Sequence, residues 1–141
     1  MPLTSRRAVP ADADLLGTLN FQLIEDEGHG NPMQAPQLQQ RMRAWLEAEY
    51  IAVLFKIGNE VIAYALYREE PGLIYLRQFF VQRYCRRHGF GQEALAILRS
   101  LYWPAGKRLT VEVLTGNQAA IAFYKATGFR DYCVTLEIPA E

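Results

Sequence analysis

The sequence is short of cysteine, has no net charge and contains no long apolar run, and each of these shortages removes a class of protein. The two cysteines, Cys85 and Cys133, stand far apart with no second Cys or His at ligand spacing. Neither a disulfide framework nor a metal site is therefore expected, and both read as free thiols in a reducing compartment. Lys plus Arg and Asp plus Glu number 15 each. No global field draws the chain to nucleic acid or to an anionic membrane, so any polyanion site has to be local. Every apolar run falls well short of the roughly 18 residues that a membrane span needs. The polar start, from Met1 to Arg7, lacks the hydrophobic stretch of a secretory signal. The expectation is a soluble, cytoplasmic chain with no nucleic-acid or membrane partner. Internal repeats and low-complexity segments are also missing.

Half of the 141 residues are apolar, enough for one compact domain over 1–141 with a real core. A short strand is expected over Leu3 to Val9. Pro10, Asp12 and Asp14 then read as a helix entry, followed by Leu15, Leu16, Leu19, Leu23 and Ile24 at helical spacing. The run from Asp26 to Pro32 ends that helix. Pro36 opens a second, with Leu38, Met42, Trp45 and Leu46 facing inward. From Tyr50 the period becomes that of strands. Ile51 to Ile57, Val61 to Tyr67 and Leu73 to Val81, joined by Gly58-Asn59 and Pro71-Gly72, predict an antiparallel meander. A helix with Ala94, Leu95, Leu98 and Leu101 on one face leads to a strand from Arg108 to Leu114. That strand, helix, strand crossover implies parallel pairing. Asn117 caps a last helix running to Thr127, and a closing strand from Tyr132 to Ile138 alternates apolar with polar residues. The fold class predicted is α/β: a mixed, mainly antiparallel sheet with helices on both faces.

Chemistry concentrates in Val81-Gln-Arg-Tyr-Cys-Arg-Arg-His-Gly-Phe-Gly91, which follows a buried strand and opens a helix. Glycines there let backbone approach a ligand, and the unpaired amides of a first helical turn form a positive nest for phosphate oxygens. Arg83, Arg86, Arg87 and His88 add positive charge, and a pyrophosphate site is expected. The same glycines satisfy a looser dinucleotide fingerprint, Gly89-x-Gly91-x-x-Ala94, with Glu112 roughly 20 residues on where a ribose-binding acid would sit. A dinucleotide fold needs several further βα units, whereas only one helix and one strand are expected after Leu114.

The turn Arg86-Arg-His-Gly-Phe-Gly91 resembles the Arg/Gln-x-x-Gly-x-Gly/Ala turn of the GCN5-related N-acetyltransferase (GNAT) superfamily. Asn117-Gln-Ala-Ala-Ile-Ala-Phe-Tyr-Lys-Ala-Thr-Gly-Phe129 resembles its closing motif, in which an Asn caps the last helix and a Tyr faces the cofactor sulfur. The likeness runs over essentially the whole chain, strongest from Leu73 to Phe129. It implies a GNAT-like sheet whose central parallel pair splays apart, binding acetyl-CoA. Phe79, Phe80 and Val81 would bond the pantetheine arm through their backbone. The diphosphate would lie on Arg86, Arg87, His88, Gly89, Phe90, Gly91 and Gln92, with Asn117 and Tyr124 completing the cofactor site.

The resemblance further implies an N-acetyltransferase acting by direct transfer on a primary amine of a small molecule or peptide, with no metal. Tyr124 would assist the departing thiolate, since a free thiol titrates near ~8.5 and tyrosine near ~10. The family's frequent acid on the strand before the glycine turn is absent here, replaced by Arg77 and Gln78. Glu112 and Glu27 remain as candidate bases, with a bound-water route equally open. The loop carrying Glu25, Asp26, Glu27, His29 and Asn31 would line the acceptor site and attract a cationic amine. Two other functions compete: a non-catalytic CoA-binding sensor and, further off, a dinucleotide-binding oxidoreductase. A homodimer through the edge strand Tyr132 to Ile138 is also open.

Overall fold

The structure, a computed structural model, describes residues 2–28 and 30–140. Strand β1 (Leu3–Arg7) leads through a tight turn at Pro10–Asp12 into helix α1 (Ala13–Glu27), then α2 (Ala35–Leu46). Three long strands follow, β2 (Tyr50–Ile57), β3 (Glu60–Glu70) and β4 (Leu73–Val81). After them come α3 (Phe90–Ile97), β5 (Arg108–Val111) and α4 (Gln118–Ala126). The sheet order is β1-β2-β3-β4-β5, antiparallel except for the parallel pair β4–β5.

β2 and β3 read as unbroken apolar runs because both of their faces are covered. Ala52, Leu54, Tyr64, Leu66 and Phe80 pack with Leu16 and Leu19 of α1 and Met42 of α2. Val53, Phe55, Ala63, Ala65 and Leu76 pack on the other side with Ala94 and Leu95 of α3 and Tyr124 of α4. This is the predicted mixed sheet with helices on both faces.

Two features of the sheet prepare the site. The pairing of β3 with β4 shifts register between Leu66 and Tyr67, so Leu66 faces Gln78, Tyr67 faces Leu76, and Arg77 is the extra residue of a β-bulge. The parallel pair is short as well. Only Leu73–Leu76 pairs with Arg108–Val111. β4 runs on to Val81 with no β5 residue beside it, so the two edges part there, as the splayed pair requires.

Four sequence expectations are corrected. The strand expected over Tyr132 to Ile138 is not formed: the segment has no strand assignment, and Tyr132, Val134, Leu136 and Ile138 are 75%, 79%, 88% and 97% exposed. Its alternation suits a strand, but no backbone hydrogen bond within the chain engages it among the described residues. β5 is consequently the last strand of the sheet, and it ends at Val111 instead of Leu114. Leu101, expected on the inner face of α3, is 73% exposed. A π turn over Leu98–Tyr102, closed by Trp103 N–H donating to Leu98 O at 2.8 Å, adds a residue to the turn and rotates Leu101 outward. Leu15, expected inside, is likewise exposed.

Candidate functional site

The turn after β4 has the conformation that a backbone anion nest requires. Arg87 and Gly89 both adopt left-handed φ values, 66° and 78°, the second at the N-cap of α3. The first amide of α3 to find an acceptor is that of Glu93, bonded to Gly89 O at 3.0 Å. Among the described residues, no protein acceptor is bonded to the amides from Arg87 to Gln92. They stand at the positive end of an eight-residue helix. His88 and Gln92 are exposed beside this turn, and His88 lies 6.1 Å from the Phe90 ring. A Cβ built at Gly91 would come within 3.0 Å of the Phe123 ring, so this glycine lets α3 approach α4.

Arg86 is engaged within the protein. Its Nε donates to Val81 O at 2.9 Å and its Nη2 to Asp26 at 2.6 Å. Arg83 also donates to Asp26. The Asp26 carboxylate, expected to face a cationic acceptor, is thus occupied by two arginines of the glycine turn and ties the end of α1 to it. Asn31 is also used locally, its Oδ1 accepting from Met33 N–H at 2.9 Å. Glu25 is exposed. His29 lies outside the described residues.

Phe79 and Phe80 divide as adjacent strand residues must. Phe80 is buried on the α1/α2 side, 5.8 Å from Tyr64, while Phe79 stacks on Phe123 at 6.0 Å on the α3/α4 side. Val81 pairs with Ala63 at the end of β4. Asn117 caps α4 through Oδ1, which accepts from Ala120 N–H at 3.2 Å.

Tyr124 is buried among Phe123 and Phe129, each 5.3 Å away and edge-on. Burial, and secondly the charge of Glu27, push its phenol well above the usual tyrosine range. It stays protonated and can donate a hydrogen bond. Tyr64 is shifted upward for the same two reasons and donates to Gln78 Oε1 at 2.8 Å. Glu27 is therefore within electrostatic reach of both phenols. Glu112, the other candidate base, is exposed and accepts from the Tyr75 hydroxyl at 2.6 Å. Burial first, then that hydrogen bond, raise the Tyr75 phenol to about 12.

The structure also gathers residues that sequence reasoning did not select for the site: Asn20, Arg41, Trp45, Tyr50, Tyr64 and Tyr75, together with the bulge residues Arg77 and Gln78. The one hint was Asn20, a polar residue buried within the apolar face of α1. Two hollows, of about 320 and 460 Å³, lie elsewhere, the first between α3 and α4 and the second beside Trp103 and Leu109. No helix among the described residues is long and apolar enough to cross a membrane.

A family model described as the acetyltransferase (GNAT) family matches residues 12–129. No curated protein matches the chain. Among solved structures, a possible acetyltransferase from Clostridium difficile 630 superposes with a TM-score of 0.81 at 14% identity, over 100% of this chain and 99% of that one. An aminoglycoside acetyltransferase from an uncultured soil metagenomic sample gives a TM-score of 0.70 at 22% identity, over 100% of both chains. An aminoglycoside N-acetyltransferase in complex with CoA gives 0.77 at 13% identity, over 99% of this chain and 95% of that one.

Proposed function

The chain belongs to the acetyltransferase (GNAT) family, and from that premise we propose that it moves an acetyl group from acetyl-CoA directly to a primary amine of a small molecule or peptide. The observation that carries this reading is the pairing of a donor nest with a strand gap. Unengaged amides from Arg87 to Gln92 lie at the end of the same strand, β4, whose edge parts from β5 after Leu76. The donor nest fits a diphosphate, and the strand gap fits an extended arm with amide groups of its own. A solved neighbour crystallised with CoA supports the same cofactor.

Acetyl-CoA supplies an activated thioester, and this chain's residues position it and manage protons. Phe79, Phe80 and Val81 offer the β4 edge. Arg87, His88, Gly89, Phe90, Gly91 and Gln92 hold the diphosphate, with Arg86 exchanging Asp26 for a phosphate oxygen. Glu27, whose charge is felt at Tyr124, accepts the amine proton directly or through water. Glu112 is the weaker candidate, since it is already hydrogen-bonded by Tyr75. Tyr124 donates a hydrogen bond to the sulfur as charge develops on it. With its phenol raised this far, hydrogen bonding is favoured over outright proton transfer to a thiolate of pKa ~8.5. Glu25 and Asn31 border the acceptor side.

Aminoglycoside acetyltransferases among the structural neighbours support a small-molecule acceptor. The unpaired Tyr132 to Ile138 segment and the open outer edge of β5 support a homodimer in which that segment finds strand pairing on a second copy.

The test measures thiol release from acetyl-CoA across a panel of amines, with the melting temperature measured beside acetyl-CoA and NAD. Amine-dependent release and stabilisation by acetyl-CoA alone support the reading. Stabilisation without release for any amine would favour a non-catalytic CoA-binding role, and equal stabilisation by NAD would favour the dinucleotide alternative.

A further inference from the structure

On the α1/α2 side of the sheet, close to the bulge of β4, two guanidinium groups are held against one indole. The guanidinium carbon of Arg41 lies 4.4 Å from the Trp45 ring centroid and that of Arg77 lies 4.6 Å from it. Arg77 Nη1 also donates to the Tyr50 hydroxyl at 3.2 Å, and Arg41 Nη2 donates to Asn20 Oδ1 at 3.1 Å. Neither arginine has a carboxylate partner among the described residues. The neighbouring Arg68 does, bonding Glu70 at 2.9 Å.

Like charges held this close repel, and a bound counter-ion relieves the cost, more for the half-buried Arg41 than for the exposed Arg77. Arg41 shows that cost: burial, and next the charge of Arg77, lower its pKa. Stacking on Trp45 and hydrogen bonds to neutral oxygens orient the two forks without neutralising them. Two buried donors at the same place, Arg41 Nε and Asn20 Nδ2, have no partner among the described residues. Buried donors left unsatisfied call for an acceptor, and beside uncompensated positive charge an oxyanion suits them best.

The cluster adjoins the proposed reaction centre. The buried Tyr64 hydroxyl feels both the negative charge of Glu27 and the positive charge of Arg41, and it donates to Gln78, next to Arg77 in the bulge. Asn20 and Glu27 are both on α1, two turns apart.

We infer that Arg41 and Arg77, set against Trp45 with Asn20 behind them, form an oxyanion subsite of the acceptor pocket, so that the amine this chain acetylates also carries a carboxylate. The inference rests on the acetyl-transfer reading and specifies its substrate class. A guanidinium fork matches a carboxylate with two parallel hydrogen bonds, and a polycation such as an aminoglycoside meets repulsion at the same place. Of the acidic loop, Asp26 is not available to offset this, because it is bound by Arg83 and Arg86.

The experiment compares acceptors matched at the amine and differing at the anion: amino acids and ω-amino acids, their amides, O-phosphoethanolamine, polyamines and an aminoglycoside, by thiol release from acetyl-CoA. The expected result is a kcat/KM for free carboxylates at least tenfold above that for the amides. Arg77→Gln should erase the preference through KM of the acceptor, without moving KM of acetyl-CoA, while Arg77→Lys restores only part of it. Equal rates for acids and amides, or a preference for the polycations, would overturn the subsite and leave acetyl transfer standing. A preference for the phosphate ester over every carboxylate would overturn the carboxylate assignment. Absence of release with every amine would sink the acetyl-transfer reading, and calorimetry with N-acetylglycine and N-acetylglycinamide then decides the subsite. Binding of the acid alone, abolished in Arg77→Gln, upholds it; no binding of the acid refutes it.

Discussion

Replacing Gly89 by alanine separates the proposed diphosphate nest from the general mechanics of a turn. Gly89 has φ 78° and a Cβ built there meets nothing within 4 Å, so the substitution costs stability only through backbone strain. That strain is about 1–2 kcal/mol for an L-residue in the left-handed region. Gly72, in the β3–β4 turn, is a matched control with φ 74° and equally open surroundings. For a chain of 141 residues, 1 kcal/mol corresponds to roughly 3 °C in Tm, so both variants should melt about 3–7 °C below the parent. Ligand separates them. At a concentration 100 times Kd, CoA adds about 2.7 kcal/mol, roughly 9 °C. A methyl group at the mouth of the nest that weakens affinity tenfold leaves about 1.4 kcal/mol, roughly 5 °C, for Gly89→Ala. Gly72→Ala should keep the full shift. The assay is a thermal melt of three proteins with and without CoA. If Gly89→Ala retains the same CoA shift as Gly72→Ala, the reasoning about close backbone approach at the turn is refuted.

Other outcomes follow from the same geometry. Tyr124→Phe should lower kcat by roughly tenfold or more while leaving the CoA-induced melting shift intact, because only a donor near the sulfur is removed; unchanged turnover would strip Tyr124 of its role. Glu27→Gln should depress kcat far more than Glu112→Gln, measured under saturating acceptor, and the reverse order would move the base to β5. Tyr64 and Tyr124 are buried with phenols raised above their ordinary value, so folded stability is intact below about pH 10, the unfolded-state value. It then falls with increasing pH by roughly 1.4 kcal/mol per unit for each phenol; denaturant titrations with no decline above pH 10 would contradict the burial of these hydroxyls. Deleting residues 130–141 should convert a dimer to a monomer in light scattering, and an unchanged mass would end the strand-pairing proposal for Tyr132 to Ile138.

Local chemistry was the readable part of the sequence. Glycine at the N-cap of α3, the Asn117 cap and the apolar strand runs of β2 to β4 depend on neighbours close in the chain, so local pattern alone exposes them. The turn from Arg86 to Gly91 could be located for that reason. Arg41, Tyr64 and Arg77 could not, because α2, β3 and a bulge in β4 bring them together through tertiary contacts that no spacing encodes. Leu101 was misplaced by a π turn that shifts the helical phase by one residue. Asp26 looked like part of an open acidic patch, yet the long arginines at 83 and 86 reach across to claim it. The Tyr132 to Ile138 pattern alternates as a strand does, yet the segment forms none, because pairing depends on what else is within reach.

The central claim is that the amides from Arg87 to Gln92 grip a diphosphate and thereby lay a thioester arm in the gap where β4 leaves β5. A crystal structure of the chain with CoA tests it most directly. The account predicts diphosphate oxygens within about 3 Å of several of those amides and the pantetheine arm running along Phe79 to Val81. A diphosphate bound elsewhere, with those amides still making no contact to it, would contradict the account.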